Sequence, residues 1–296
     1  MSFEKGMLWN KIIETTKHAL SIGAQFPIPT DYEFIEDSGV KFFVRKLASL
    51  QKKDEEKRKH ILSRNPKNPF LPYDKELFVS EVSDTHVALL NKFNVVENHL
   101  LIITKHFEEQ ETLLTLKDFE ALWLCMNEYK SLGFYNGGIE AGASQKHKHL
   151  QIVPLPLAPD GPQIPIEPLL KNYDYSKELG TITSFPFKHV FGHFKENIIK
   201  SKNAANIFFN LYSNMLEYAG METPDIKNLK YQSNPYCLLI TNQWMLLVPR
   251  ICEFFDSISI NSLGFAGALL VKDEVQMEML KKTGPMKVLQ QVAFPR

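Results

Sequence analysis

The chain has 296 residues, 44% of them hydrophobic and 11% aromatic, enough to bury a substantial core in one large or two modest domains. Its 34 basic and 34 acidic side chains cancel, so no whole-chain field favours nucleic acid or an anionic membrane as main partner, while a small anionic ligand stays open. Cys125, Cys237 and Cys252 are odd in number and contain no CxxC pair, which argues against a disulfide scaffold or a cysteine zinc site and for reduced, buried thiols. Charges interrupt the apolar positions of MSFEKGMLWNKIIETTKHAL, and no stretch reaches the length of a membrane span; the reading is a soluble cytoplasmic protein.

Leu8, Ile12, Ile13 and Leu20 suit an amphipathic opening helix, after which PIPTDYEF forces extended chain and VKFFVRKLASL begins as a strand. QKKDEEKRKH reads as a solvated charged helix or loop, and NPKNPFLPYD as a proline-punctuated connector where the folded core begins. THVALLNKF and HLLIIT resemble an antiparallel pair joined by a short turn. In TLKDFEALWLCMNEY, Thr115 caps a helix with Asp118 three residues on, while Phe119, Leu122, Trp123 and Met126 form its apolar face. A glycine loop, FYNGGIEAGASQ, separates that helix from the strand that follows. Beyond the proline-rich LPLAPDGPQIPIEPLL, Ile207, Leu211 and Met215 phase a helix that stops at Gly220. YCLLIT, WMLLVPR and FAGALLV then read as sheet segments, so that two related sheet-forming halves are expected, at boundaries 1–68 for an N-terminal extension, 69–160 for a first half and 161–296 for a second.

The stretch GASQKHKHLQIVPLP spaces His147, His149 and Gln151 two apart. A strand sends such residues to one face, with Lys148, Leu150 and Ile152 on the other. Glycine backbone N–H groups in the preceding loop can approach phosphate oxygens, and Ser144 and Gln145 add side-chain donors. Neutral imidazole is a good nucleophile at phosphorus, so a positioned histidine can form a phosphoramidate and split one nucleotidyl transfer into two displacements. A structural role for a lone strand histidine is the ordinary alternative, but two histidines and a glutamine on one face leave several polar groups to satisfy for no folding benefit. Alternate histidines can also chelate zinc, yet no third ligand is offered nearby. Lys53 and Lys272 read by themselves as surface lysines, His189 and His193 as satisfied structural histidines, and Trp244 as core.

G-x-S-Q-x-H-x-H-L-Q resembles the signature of the diadenosine tetraphosphate phosphorylases, or ATP adenylyltransferases, a transferase branch of the histidine-triad superfamily whose hydrolases place a third histidine where this chain has Gln151. NPFLPYD, LLNKFNVVENHLLIITKHFEEQ, FYNGG, TNQWMLLVPR, NSLGFAGALLVKD and VLQQVAFP extend the resemblance over most of the chain from about Lys53 onward. It implies an α+β fold, a histidine-triad-like antiparallel sheet flanked by helices, with both halves contributing to one site complete within one chain. It implies His149 as nucleophile and adenylyl carrier, His147 as its support and Gln151 on a nonbridging α-phosphate oxygen. Gly142, Ala143, Ser144 and Gln145 would contact the phosphate chain, Asn136 the ribose or phosphate, Asn91 and Lys92 the nucleotide pocket, and Lys53 the polyphosphate. Asn261, Ser262, Leu263 and Lys272 would complete the substrate site from the second half, with Ala268 standing where a methionine is expected. The implied reaction is cleavage of diadenosine tetraphosphate by phosphate to ATP and ADP, a magnesium ion travelling with the nucleotide rather than in a dedicated site. Two alternatives stay open: a nucleotide-sugar phosphorylase or uridylyltransferase of the same superfamily, and a nucleotide sensor without turnover.

Overall fold

A computed structural model describes residues 3–48, 68–194, 201–222 and 231–296; Lys53 and the run QKKDEEKRKH lie outside the described residues. Helix α1 (Leu8–Ser21) is followed by the hairpin β1 (Thr30–Asp37) and β2 (Val40–Leu47). Strands β3 (Phe78–Glu81), β4 (His86–Leu90) and β5 (Leu100–Thr104) lead to α2 (Leu116–Met126), then β6 (Ser131–Gly137) and β7 (His149–Pro154). The second half contains α3 (Glu167–Leu170), β8 (Leu179–Gly180), β9 (Val190–His193), α4 (Ala204–Tyr218), β10 (Tyr236–Ile240) and β11 (Trp244–Pro249). It closes with β12 (Phe254–Phe255), β13 (Ile258–Ser259), α5 (Ser262–Phe265), β14 (Ala268–Val271), α6 (Glu274–Thr283) and α7 (Pro285–Val292).

Nine strands form one antiparallel sheet in the order β3-β4-β5-β7-β6-β10-β11-β9-β8. The halves meet at its centre, where β6 pairs with β10 and sets Phe134 opposite Leu239. This is the α+β architecture that the resemblance implies. Alternation decides the two faces: Leu150 and Ile152 point into a core with α1, α2 and α4, while Val153 joins a second core on the opposite face with Phe42, Phe265 and Leu289. Helix α2 forms where its cap dictates, with the Thr115 side chain accepting from the Asp118 N–H and the Asp118 carboxylate accepting from the Thr115 N–H. Phe119 then stacks against Phe208 and Tyr212 of α4.

Several local expectations shift. Folded structure already precedes NPKNPFLPYD, because β2 pairs with β14 in parallel and thereby ties the first hairpin to the end of the chain. In α1 the buried stripe is Leu8, Ile12 and Ala19, whereas Leu20, one residue further round the helix, is 46% exposed. Phe208, Leu211 and Met215 carry the buried face of α4, with Ile207 at its margin. FAGALLV is not one strand: Phe265 ends α5, Gly267 turns the chain at φ +85°, and β14 starts at Ala268. Cys125 and Cys237 are buried free thiols, but Cys252 is half-buried.

Candidate active site

The glycine loop is built for close approach. After Gly137 the chain turns through Gly138 (φ +97°) and a short 3-10 turn, Ile139–Ala141, into Gly142 (φ +88°). A Cβ on Gly142 would lie 2.8 Å from the Asn261 Cβ, so both conformation and space require glycine there. Asn261 is itself fixed as the cap of α5, its side chain accepting from the Leu263 N–H at 3.0 Å. The loop of the first half and the helix start of the second therefore form one wall.

His147 does not begin β7 but bridges Glu109 just before it, and the strand opens at His149. The two imidazoles nevertheless share a side, since the Phe70 ring touches both at 5.6 and 5.4 Å. Their hydrogen bonds settle their protons. His147 Nε2 lies 2.9 Å from the Thr104 carbonyl oxygen, which can only accept, so the proton sits on Nε2. Nδ1 then accepts from Asn68 Nδ2 at 3.0 Å, and Asn68 Oδ1 accepts from the Phe70 N–H. Both nitrogens of His147 are committed. His149 Nδ1 lies 2.8 Å from the His147 carbonyl oxygen, so Nδ1 carries the proton and Nε2 keeps a free lone pair. Burial lowers the His149 pKa to about 4 and lowers that of His147 as well, each offset in part by its bond to a backbone carbonyl. At neutral pH His149 is an uncharged imidazole with its nucleophilic nitrogen uncommitted. Gln110 holds its backbone: Oε1 accepts from the His149 N–H at 2.9 Å and Nε2 donates to the Asn136 carbonyl at 2.8 Å.

The opposite face of this segment is anchored by charge. Lys148 is fully buried and donates to Asp118 Oδ2 at 3.1 Å, the Leu113 carbonyl at 3.0 Å and Glu108 at 3.2 Å. His86 meets the other Asp118 oxygen at 3.0 Å. Burial alone would raise the Asp118 pKa, but Lys148 and His86 together hold it well below the usual carboxylate range. A buried pair so saturated fixes the strand's placement, since moving Lys148 would strand a carboxylate.

His149 and Gln151 open into a cavity of about 1070 Å³ that Asn91, Lys92, Asn136, Gly142, Ser144, Gln145, Asn261, Leu263, Ala268 and Lys272 also line. Both halves of the chain contribute. Among the described residues no group of three or more His, Cys, Asp or Glu could hold a metal ion.

Two family models match: the Ap4A phosphorylase N-terminal domain over residues 1–172 and the ATP adenylyltransferase C-terminal domain over residues 183–295. The chain belongs to the Ap4A phosphorylase family. It is 31% identical over 253 residues to diadenosine 5',5'''-P1,P4-tetraphosphate phosphorylase 2 of Saccharomyces cerevisiae, covering 77% of this chain and 76% of that protein. Its fold is similar to the crystal structure of yeast Ap4A phosphorylase Apa2, with a TM-score of 0.79 at 25% identity, covering 100% of this chain and 96% of the other. The same yeast protein in complex with Ap4A gives a TM-score of 0.78 at 24% identity, covering 100% of this chain and 99% of the other.

Within the phosphorylase fold, the carried-over residues divide by what their polar atoms already do. Lys92 pairs with Asp74 at 3.1 Å, and Lys272 is among the cavity-lining residues, its backbone N–H donating to the Gln276 side chain at 2.7 Å. Asn136 Oδ1 accepts from the N–H and Oγ of Ser262 at 2.9 and 2.6 Å, which leaves its NH2 for a ligand. Ser262 is fully buried and Ala143 turns inward; neither lines the cavity. Ser262 joins α5 to β6 through its bonds to Asn136 and to the Tyr135 carbonyl. His189 is satisfied at both nitrogens, by the Ile182 N–H and the Phe187 carbonyl, and Trp244 is core. Sequence reasoning missed Gln110, Asn68, Thr104, His99 and Arg45. Arg45 lines the cavity from β2, with burial lowering its pKa and its guanidinium 4.5 Å from the Phe43 ring. The alternation of VKFFVRK already sets Phe43 and Arg45 on one strand face, the signal that could have found it.

Proposed function

We propose that this chain is an ATP adenylyltransferase that cleaves diadenosine tetraphosphate with inorganic phosphate to ATP and ADP through an adenylyl group on His149. One observation carries the reading: the His149 Nδ1–H is bound by the His147 carbonyl, so a neutral Nε2 lone pair faces the shared cavity. Nε2 attacks the α-phosphorus of one adenosine, the bond to the bridging oxygen breaks, and ATP departs with that electron pair. A phosphate oxygen then attacks the same phosphorus, the P–N bond breaks, and ADP leaves with His149 restored. The departing polyphosphate is already a stable anion and needs little proton donation. A divalent cation, magnesium by its chemistry, accompanies the nucleotide on its phosphates.

Gln151 bears on the choice between phosphate and water. A carboxamide donates and accepts hydrogen bonds but does not titrate, so it steadies the phosphoryl group while giving water no base. Phosphate is an anion and needs less activation. Support also comes from the yeast relative named as a diadenosine tetraphosphate phosphorylase and from yeast Apa2, whose crystal structure holds Ap4A. Both halves of the chain line the cavity, which supports a site complete within one chain, and the free thiols fit a cytoplasmic setting; among the described residues no helix is long and apolar enough to cross a membrane.

The test is incubation with diadenosine tetraphosphate with and without phosphate, products read by chromatography. An acid-labile adenylyl protein without phosphate, and ADP on its addition, is expected. Mostly AMP in saturating phosphate would make the protein a hydrolase and overturn the assignment.

A further inference from the structure

His99 has no part in the transfer derived above, yet it stands on the nucleophile's side of the sheet. It immediately precedes β5, and the β5–β7 register sets Leu101 opposite Gln151 and Ile103 opposite His149, so the alternation brings His99 to the same face diagonally from Gln151. The Phe134 ring lies 5.7 Å away, and His99 lines the cavity while only 7% exposed.

The protonation of this ring is dictated from behind. The Phe93 N–H donates to Asn91 Oδ1 at 3.1 Å, which turns Asn91 Nδ2 towards His99 Nδ1, also at 3.1 Å. A nitrogen that accepts carries no hydrogen in the neutral ring, so the proton is on Nε2. Burial keeps the ring neutral, lowering its pKa to about 4 against the opposing pull of the Gln151 side chain. Nε2 is buried and completes no hydrogen bond among the described residues, although Gln151 is near enough to favour its protonation. A buried N–H without an acceptor is costly, and the side chain diagonal to it across β5 and β7, Gln151, carries a carboxamide oxygen able to accept.

We infer that His99 is a positioning residue for Gln151: its Nε2–H takes the carboxamide oxygen, so that the NH2 end is presented to the α-phosphoryl oxygens. The two ends of a carboxamide have nearly the same shape, and an unconstrained Gln151 could offer either. Its oxygen would repel a phosphoryl group and its NH2 would donate to it. The relay from Phe93 N–H through Asn91 and His99 selects the donor end. Asn91, which lines the same cavity, thereby gives its oxygen and one of its two N–H donors to orienting the site.

This inference rests on the proposed adenylyl transfer, and a double-mutant cycle tests it. His99→Phe keeps an aromatic ring against Phe134 and removes the donor; Gln151→Ala removes the group it orients. At saturating diadenosine tetraphosphate, each single variant is expected to slow adduct formation about tenfold with KM changed less than about threefold, and the double variant to be no slower than Gln151→Ala. Losses that multiply to roughly a hundredfold would overturn the coupling, as would a His99→Phe variant that melts lower yet forms adduct at the native rate. A second readout needs no turnover: side-chain nitrogen NMR of the native chain near neutral pH should show His99 with a bare Nδ1 and a protonated Nε2, whose signal moves in Gln151→Ala. The opposite tautomer, or no response to Gln151→Ala, sinks the relay. If the native chain forms no adduct, the transfer reading fails while the tautomer measurement still decides the role of His99.

Discussion

Lowering the pH from about 8 to about 5 should remove about 6 kcal/mol of folding stability, through three buried imidazoles. Burial is the largest cause of the shift at His99, His149 and His189, each lowered from 6.5 to about 4 in the folded chain. Each folded value lies below the unfolded one, so the unfolded chain binds these protons first as pH falls. Stability from these groups is therefore complete above 6.5 and drains as pH drops towards 4. At about pH 5 one such group has lost about 2 kcal/mol, and the three sum to a large share of the roughly 5–15 kcal/mol typical of a folded protein. Asp118, Asp160, Asp174 and Glu274 are held low instead, so their contributions fade only in stronger acid, below the ordinary carboxylate values. His147, also lowered by burial, adds to the loss, while Glu167, raised by burial, acts with the opposite sign and trims it. Urea titrations followed by tryptophan fluorescence across this pH range give the free energy directly. The steepest portion should correspond to at least nearly three protons taken up on unfolding, and should fall by nearly one in His189→Asn, which lies away from the cavity lining. Because folded His149 stays neutral to about 4, adduct formation on the acid side should follow the unfolded fraction rather than titration of the nucleophile. A stability that changes by less than about 2 kcal/mol over the range, or an unchanged slope in His189→Asn, would refute the reasoning.

His149→Ala should abolish adduct and turnover while nucleotide affinity, by equilibrium dialysis, stays within about tenfold, because the lost group acts in bond making. Gln151→His should move the product ratio from ADP towards AMP in limiting phosphate, read by chromatography, since an imidazole there can accept a proton from water. Lys148→Met should cost about 3–5 kcal/mol in chemical denaturation by leaving Asp118 buried beside His86 alone, and adding Asp118→Leu should recover part of that loss. Separately expressed halves should form no adduct, because Ser262 and Asn261 of the second half brace Asn136 and Gly142 of the first; an active isolated first half would contradict this.

What could be read from the sequence was local or periodic. Thr115 and Asp118 announce a helix start because both partners lie within one turn, and the β7 face is visible in the alternation of His149 and Gln151 against Leu150 and Ile152. The glycine loop is legible for the same reason, since its conformational demand falls on residues near in sequence. The ends of elements were less so: β7 starts after His147, as the ring and backbone of that residue are claimed by Thr104, Asn68 and Glu109 from elsewhere in the chain.

Hydrogen-bond capacity is the part that sequence does not carry. A motif names Asn91, Asn136 and Ser262 as polar residues at a site, and each has the chemistry to meet a nucleotide. The fold engages the Asn91 carboxamide with Phe93 and His99, and Asn136 Oδ1 with Ser262. Among the described residues that line the cavity, His149 Nε2 and the NH2 groups of Asn136 and Gln151 remain for substrate, beside Arg45, Ser144, Gln145 and Lys272. Neither the residue that holds the His149 backbone, Gln110, nor the one proposed to orient the Gln151 amide, His99, is marked by any spacing. The reactive geometry is thus set by long-range partners of a locally legible strand, and substitutions at those partners should alter rate more than substrate affinity.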